Sequence, residues 1–346
     1  MEKSSRNVSA DVLRGFAILM VVMGHTITGL TNDYAGNVLF NLIWCLQMPL
    51  FMLISGYVTR YSREMATVRD LVKVLFHKTI MYMQPWLVWT IGIRGLLMGE
   101  SMFLNLEYLV WHMDSGYWFL FSIWIIVCCF ALSRYIGRKL QKAAKGGTEW
   151  FYVGVPYVIS MAGFALLGKI FGLSFLCMKQ TLYYMPFFFL GYMYGAEQRR
   201  LSAWKRGCWL QQWATALCAC VFAVLIVRFD FLGIEDNVGG VALRASASVT
   251  GCIAFCSLVT SAEPKGRLCN MAWRGIAYVG KRSMQLYVMH YLFLCMVHTS
   301  RVHAMTSPEG FTLTICNWAG TTAVSLLLIG IMERNEPIQK VLFAKW

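Results

Sequence analysis

The amino-acid sequence predicts an all-α polytopic membrane protein of about ten transmembrane helices, with the N-terminus and C-terminus both cytoplasmic. Three observations carry this reading. Of 346 residues, 58% are hydrophobic and only 14% charged, where a soluble domain carries about 25% charge, and the mean hydropathy is +0.55. Apolar stretches of about 20 residues, long enough to cross a hydrocarbon core of roughly 30 Å as a helix, recur along the whole length. Basic residues cluster in alternate connecting segments. Together these exclude a soluble enzyme, a disordered chain and a secreted disulfide scaffold.

The first span, residues 15–30, follows Lys3, Arg6 and Arg14 in the manner of a secretory signal. It ends in Gly24-His25-Thr26-Ile27-Thr28-Gly29 without an Ala-x-Ala-like cleavage site, so it reads as a retained helix. Hydropathy places the following spans at 39–59, 80–98, 117–136, 151–172, 180–196, 209–229, 241–261, 283–300 and 312–332. Loops are short and lack Gly/Ser-rich or Pro-rich linkers. Residues 1–346 are therefore expected to form one transmembrane domain with no soluble appendage. No internal repeat is evident, which disfavours transporters built from repeats.

The net charge of +14 suits either a nucleic-acid binder or cytoplasmic loops that follow the positive-inside rule. Its distribution favours topology. Arg60, Arg63, Arg69, Lys73 and Lys78 precede the third span, and Arg134, Arg138, Lys139, Lys142 and Lys145 follow the fourth. Arg199, Arg200, Lys205 and Arg206 follow the sixth, and Lys265, Arg267, Arg274, Lys281 and Arg282 follow the eighth. With three at each terminus, 25 of the 31 Lys and Arg fall on one side; Arg94, Lys169, Lys179, Arg228, Arg244 and Arg301 remain for the other. Acidic residues divide about evenly. The positive charge thus needs no acidic partner, and nucleic acid is not an expected one.

Most of the twelve cysteines fall in spans or on the cytoplasmic side and read as small apolar packing residues. Cys177 and Cys316 lie nearer the outer face, where pairing is open. His-Glu-x-x-His, Cys-x-x-Cys and Gly-x-Ser-x-Gly are all missing, so no metal is expected. Gly163 to Lys169 spaces its glycines and lysine like a phosphate loop, but Ile170 replaces the required hydroxyl and no strand precedes it. Gly168/Gly172 and Gly191/Gly195 read as small-xxx-small helix-packing pairs.

A charge at the centre of a membrane helix costs about 2.5–3.5 kcal/mol on insertion scales, so each one marks a candidate site. The first span holds Asp11, Arg14 and His25. Arg14 and His25 are eleven residues apart, close to three turns, and share a face about 16 Å apart along the axis. Asp11 lies within pairing distance of Arg14. Two readings stand side by side: a functional polar stripe joining both sides of the membrane, or interfacial anchors at Asp11 and Arg14 with a packing histidine at His25.

The run Arg6-Asn7-Val8-Ser9-Ala10-Asp11-Val12-Leu13-Arg14-Gly15-Phe16-Ala17-Ile18, continuing to Gly24-His25, resembles the opening signature of the acyltransferase-3 family of integral-membrane O-acyltransferases. Met48-Pro49-Leu50-Phe51 with Ser55-Gly56-Tyr57 is similar to that family's second-span motif, and Tyr117-Trp118-Phe119-Leu120 to its start of the fourth span. Pro186-Phe187-Phe188-Phe189-Leu190-Gly191-Tyr192 and Gly280-Lys281-Arg282-Ser283, running to Tyr287 and His290, extend the likeness over nearly the whole chain. Among family members, the small sugar and polysaccharide O-acetyltransferases are the most similar.

The resemblance implies transfer of an acyl group, usually acetyl from cytoplasmic acetyl-CoA, to a hydroxyl of a cell-surface carbohydrate or glycolipid, in a bacterial plasma membrane. It also implies that His25 and Arg14 are the key residues. An imidazole with an ordinary pKa near 6.5 suits a general base at neutral pH, a transient acyl-imidazole being the variant. A guanidinium matches phosphate geometry, so Arg14 is the candidate for the CoA phosphates, with Asp11 positioning it. Lys73 and Lys78 are further candidates for those phosphates or ordinary anchors, and Trp118 for the donor or acceptor cavity or an interfacial ring. Ser55 and Tyr57 read as packing beside the site, and His290 as either a site residue or a structural hydrogen-bonder. Glu100, Glu107, His112 and Asp114 are acceptor-side candidates or a solvated loop. A carrier exporting an acidic metabolite or lipid-linked sugar through the same stripe is the alternative from another class, and an acyl relay to a partner protein is a third. No motif sets an oligomeric state.

Overall fold

The computed structural model describes residues 8–62, 64–113, 116–144, 146–202, 209–262, 266–294 and 304–345. Asp114, Lys3, Arg6, Arg63, Lys145, Lys205, Arg206, Lys265 and Arg301 lie outside the described residues, as do the side chains of Arg199 and Arg200. The described chain is helical, without a strand. In order, its α-helices are α1 (Val8–Leu30), α2 (Val38–Val58), α3 (Val68–Leu87), α4 (Leu106–Trp111), α5 (Trp118–Ala143), α6 (Glu149–Phe171), α7 (Met178–Ser202), α8 (Trp209–Arg228), α9 (Val238–Ser261), α10 (Arg267–Lys281), α11 (Ser283–Met289), α12 (Pro308–Met332) and α13 (Glu336–Phe343).

Among the described residues, seven helices are long and apolar enough to cross a membrane: Val8–Leu30, Val38–Tyr61, Trp118–Ala143, Glu149–Phe171, Gln211–Arg228, Val238–Ser261 and Pro308–Met332. They coincide with seven of the ten expected spans. The other three segments differ for identifiable reasons. Residues 80–98 are composite: α3 carries Arg69, Asp70, Lys73 and Lys78, contains Pro85, and passes into a π-helix over Val88–Leu97. Residues 180–196 lie within the continuous α7, but its apolar stretch is bracketed by Lys179-Gln180 and Glu197-Gln198-Arg199-Arg200 and diluted by tyrosines. Residues 283–300 are interrupted, α11 giving way to a 3₁₀ turn at His290–Leu292, and the stretch from 295 lies outside the described residues.

The chain divides into two compact units, Met1–Ile54 with Arg200–Ile331, and Ser55–Arg199 with Met332–Trp346. In the first unit, α1 is buried along Ala10, Asp11, Gly15, Ala17 and Gly24 as well as its branched residues. Small residues let neighbouring backbones approach closely. A Cβ on Gly280 would collide with the Asp11 carbonyl oxygen, and one on Gly15 with the Ile276 carbonyl oxygen, so α10 crosses α1 backbone against backbone. Phe16 meets Phe255 of α9 edge to face at 5.3 Å. Asn41 of α2 donates through Nδ2 to the Phe229 carbonyl at 2.9 Å and accepts from the Phe231 amide at 3.3 Å, pinning the turn after α8.

In the second unit, a Thr67–Asp70 capping box starts α3, each side chain bonding the other residue's backbone amide. An aromatic cluster joins α5, α6 and α7: Phe130 meets Phe188 at 5.2 Å and Tyr192 at 4.8 Å, and Tyr157 donates to the Met185 carbonyl at 3.1 Å. Gly137 admits the Tyr152 backbone, which brings α5 against α6. Arg138 pairs with Glu149 at 2.9 Å and Glu64 at 3.2 Å, while the buried Arg134 reaches Glu149 at 3.7 Å. Two residues expected as cytoplasmic anchors are therefore also engaged in ion pairs. The C-terminal α13 docks on α3 and the π-helix, Trp89 donating to the Leu342 carbonyl at 2.9 Å and stacking on Phe343.

Of the glycine pairs, Gly195 faces the Tyr57 backbone as a packing residue should. Gly172 faces nothing within 4 Å and instead ends α6 with a φ of +93°. The ten cysteines among the described residues are free thiols, including Cys177 and Cys316.

Candidate active site

The site lies in the first unit. α1 starts with Asp11 in its first turn, where a carboxylate complements the helix dipole. Arg14, three residues on, pairs with Asp11 at 3.8 Å. The Asp11 side chain is only 3% exposed, whereas Arg14 is 27% exposed: the carboxylate is buried beneath a guanidinium that reaches the surface.

Three turns further along α1, the Nε2 of His25 lies 3.1 Å from the Tyr291 hydroxyl, a contact between residues 266 positions apart in sequence. The two rings are 4.9 Å apart. The His25 ring is 5.2 Å from that of His290, which is itself 4.2 Å from Tyr291. His290 is fully buried, and its Nδ1 lies 3.2 Å from the Leu286 carbonyl oxygen. A carbonyl only accepts, so this bond places the His290 proton on Nδ1.

The turn that brings His290 and Tyr291 to His25 is the interruption of the expected ninth span. A broken helix in lipid leaves carbonyls that need partners, and Thr321 of α12 supplies one by donating to the Phe293 carbonyl at 2.8 Å. Across α1, Gln47 of α2 also reaches the site's edge. Its Oε1 lies 3.2 Å from where a Cβ on Gly24 would stand, buried and without a hydrogen bond among the described residues.

The structure thus brings together Asp11 with Arg14, and His25 with His290. Lys73, Lys78 and Trp118 belong to the second unit. Lys73 is exposed on α3, Lys78 is half-buried with its Nζ 3.8 Å from Met81 Sδ, and Trp118 stacks on Tyr184 at 5.7 Å. Glu100 is bound to Arg94 in a two-pronged pair at 2.6 and 3.0 Å, Glu107 is exposed, and His112 tilts against Tyr108. Tyr57 is buried between Tyr61 and Tyr194, as a packing residue. Tyr291 and Gln47 escaped the sequence reading, because helical periodicity orders residues along one helix and is silent about which helices meet.

A helical protein with repeated membrane-length spans, the first bearing a carboxylate–guanidinium pair and an imidazole in contact with a phenol, has the build of a polytopic membrane protein. Residues 7–334 match the acyltransferase-3 family, an acyltransferase domain, and the chain belongs to that family. It is similar to the nodulation protein NolL of Mesorhizobium japonicum, with 24% identity over 236 residues, 66% of this chain and 56% of that protein. It is also similar to the nodulation protein NolL of Sinorhizobium fredii, with 23% identity over 200 residues, 55% and 49% of the two chains. The chain spans about half the length of the curated relatives it matches. No solved structure matches it.

Proposed function

We propose that the protein is a membrane O-acyltransferase that moves an acyl group, acetyl from cytoplasmic acetyl-CoA, to a hydroxyl of a cell-surface carbohydrate or lipid-linked glycan. The observation that carries this reading is the His25–Tyr291 pair on the helix that also holds Asp11 and Arg14, in a chain of an acyltransferase family. The protein sits in a bacterial plasma membrane with both termini cytoplasmic. Its seven long helices are joined as crossings by the α3–π segment, α7 and the interrupted segment after Ser283. The basic-residue asymmetry and the rhizobial relatives support that placement.

With its proton on Nε2, His25 donates to the Tyr291 oxygen and keeps the Nδ1 lone pair for the acceptor hydroxyl. This is the arrangement in which one ring nitrogen is oriented and the other does chemistry. Nδ1 takes the hydroxyl proton as the oxygen attacks the thioester carbonyl. The new C–O bond forms, the C–S bond breaks, and the proton passes from the imidazolium to the departing thiolate. The partly exposed Arg14 holds donor phosphates, and Asp11 fixes its direction. Lys73 and Lys78 raise the concentration of the polyanionic donor at the cytoplasmic face.

The test is transfer of label from radiolabelled acetyl-CoA in native-host membranes carrying the wild-type chain or His25→Ala. Label entering glycan or glycolipid with the wild type alone supports the reading. Equal labelling by both chains removes His25 from the mechanism, and a wild type that moves a solute without consuming acetyl-CoA marks a carrier.

A further inference from the structure

α10 presents two exposed ridges of different character. Met271, Gly275 and Tyr278 follow Leu268 at three, seven and ten residues, so the four fall within an arc of about 80° of the helix. All four are exposed, Leu268 to 77% and Met271 to 65%, and nothing lies within 4 Å of a Cβ position on Gly275. Arg267, Arg274 and Lys281 recur every seven residues and fall within about 40° on the adjoining flank. These three side chains are exposed as well, and they make no ion pair among the described residues.

The opposite side of α10 is occupied by α1, which Gly280 and Ile276 meet at Asp11 and Gly15. The helix contains no acidic residue, and at 15 residues it is about 22 Å long, short of a hydrocarbon core of roughly 30 Å.

The two ridges make conflicting demands on their surroundings. Large apolar side chains left in water forgo the gain of burial, whereas guanidinium and ammonium groups drawn into hydrocarbon are costly. A helix lying along a membrane surface meets both demands, with its apolar ridge at the acyl-chain boundary and its basic ridge at the headgroups. Tyr278 joins the two ridges: the Arg282 guanidinium stacks on its ring at 3.7 Å, an amphipathic arrangement suited to the headgroup level.

Charge then selects the headgroup. A zwitterionic headgroup carries its own cation beside the phosphate, whereas an anionic one leaves its phosphate charge for the protein to neutralise. Three exposed cations on a helix without a carboxylate favour the second. We infer that α10 is a binding site for anionic phospholipid, with Leu268, Met271 and Tyr278 seated among the acyl chains and Arg267, Arg274 and Lys281 on the phosphates.

The experiment places the full chain in vesicles of equal phosphatidylcholine and phosphatidylglycerol, with one or the other lipid doped with an analogue bearing a diazirine on its acyl chain. After photolysis, mass spectrometry of peptides covering 267–281 gives the ratio of phosphatidylglycerol to phosphatidylcholine adducts on α10. The middle of α8 around the exposed Leu217, with no basic residue within ten positions, is the reference. The ratio on α10 is expected to exceed that on α8 by about tenfold, and to fall to the reference in the variant carrying Arg267→Gln, Arg274→Gln and Lys281→Gln. Should that variant fail to accumulate, wild type in about 1 M salt decides, where screening is expected to remove most of the preference. A wild-type ratio on α10 equal to that on α8 overturns the inference, as does a preference unchanged by charge removal or, in its place, by salt. Peptides of α10 without adducts while α8 carries them show the face covered by protein and overturn it too. No acyl donor enters the measurement, so each outcome is independent of the acyltransferase reading.

Discussion

Gly280 of α10 lies directly on the Asp11 carbonyl of α1, and the approach leaves no room for a side chain. The reciprocal contact, Gly15 on the Ile276 carbonyl, belongs to the same crossing. These glycines belong to the two sequence runs that resemble the family. Their role here is steric: they bring the Asp11–Arg14 turn against the helix that leads to His290 and Tyr291.

Gly280→Ala is therefore expected to destabilise the protein by about 1–3 kcal/mol through overpacking. Gly275→Ala serves as the control, because nothing lies within 4 Å of its Cβ position, and should be neutral or stabilising by up to about 1 kcal/mol. Thermal unfolding of the purified proteins in detergent checks the pair. Equal midpoints for the two variants would contradict the close crossing.

His25→Ala is expected to reduce acyl transfer by at least about 100-fold, the usual scale for a general base. Tyr291→Phe removes one hydrogen bond at 3.1 Å and should cost about tenfold, as expected for about 1–1.5 kcal/mol. Rates measured in the same membranes separate the two roles. A phenylalanine variant as active as wild type would show that Tyr291 does not orient the imidazole.

Arg14→Ala is expected to raise the acetyl-CoA requirement more than it lowers kcat, and Asp11→Asn to do so to a smaller extent, because the amide keeps a polar contact but loses the charge. Titration of rate against donor concentration reads both. A donor requirement unchanged in both variants would leave the pair as a structural anchor.

Asp70 supplies a pH-dependent feature at the start of α3, one turn before Lys73. Hydrogen bonds from Thr67, the side chain foremost and then the backbone, hold its carboxyl below the ordinary value. A carboxyl lowered on folding stabilises the cap above its unfolded value of about 3.9, and this contribution is lost as pH falls through the lowered value. Thr67→Val should raise the Asp70 titration toward the ordinary value. Carboxyl-carbon NMR of the two proteins reports it, and coincident titration curves would remove Thr67 as the cause.

Much of the architecture was legible in the sequence because lipid imposes a simple rule: a span needs a long apolar stretch. Seven such stretches are the seven membrane-length helices. The rule does not resolve segments 80–98, 180–196 and 283–300, where a π-helix, flanking charges and a broken helix intervene. The Asp11–Arg14 pair was also legible, since both residues belong to one helix and a fixed rise per residue sets their spacing.

Tyr291 and Gln47 were not legible, since each depends on helices distant in sequence packing together. Periodicity placed Asp11, Arg14 and His25 on one stripe of α1 without indicating what that stripe faces. Only the tertiary structure set a phenol on His25 and an amide against Gly24. Backbone geometry repeats every turn and is local, whereas the choice of neighbour is made by close packing of side chains and glycines from across the chain.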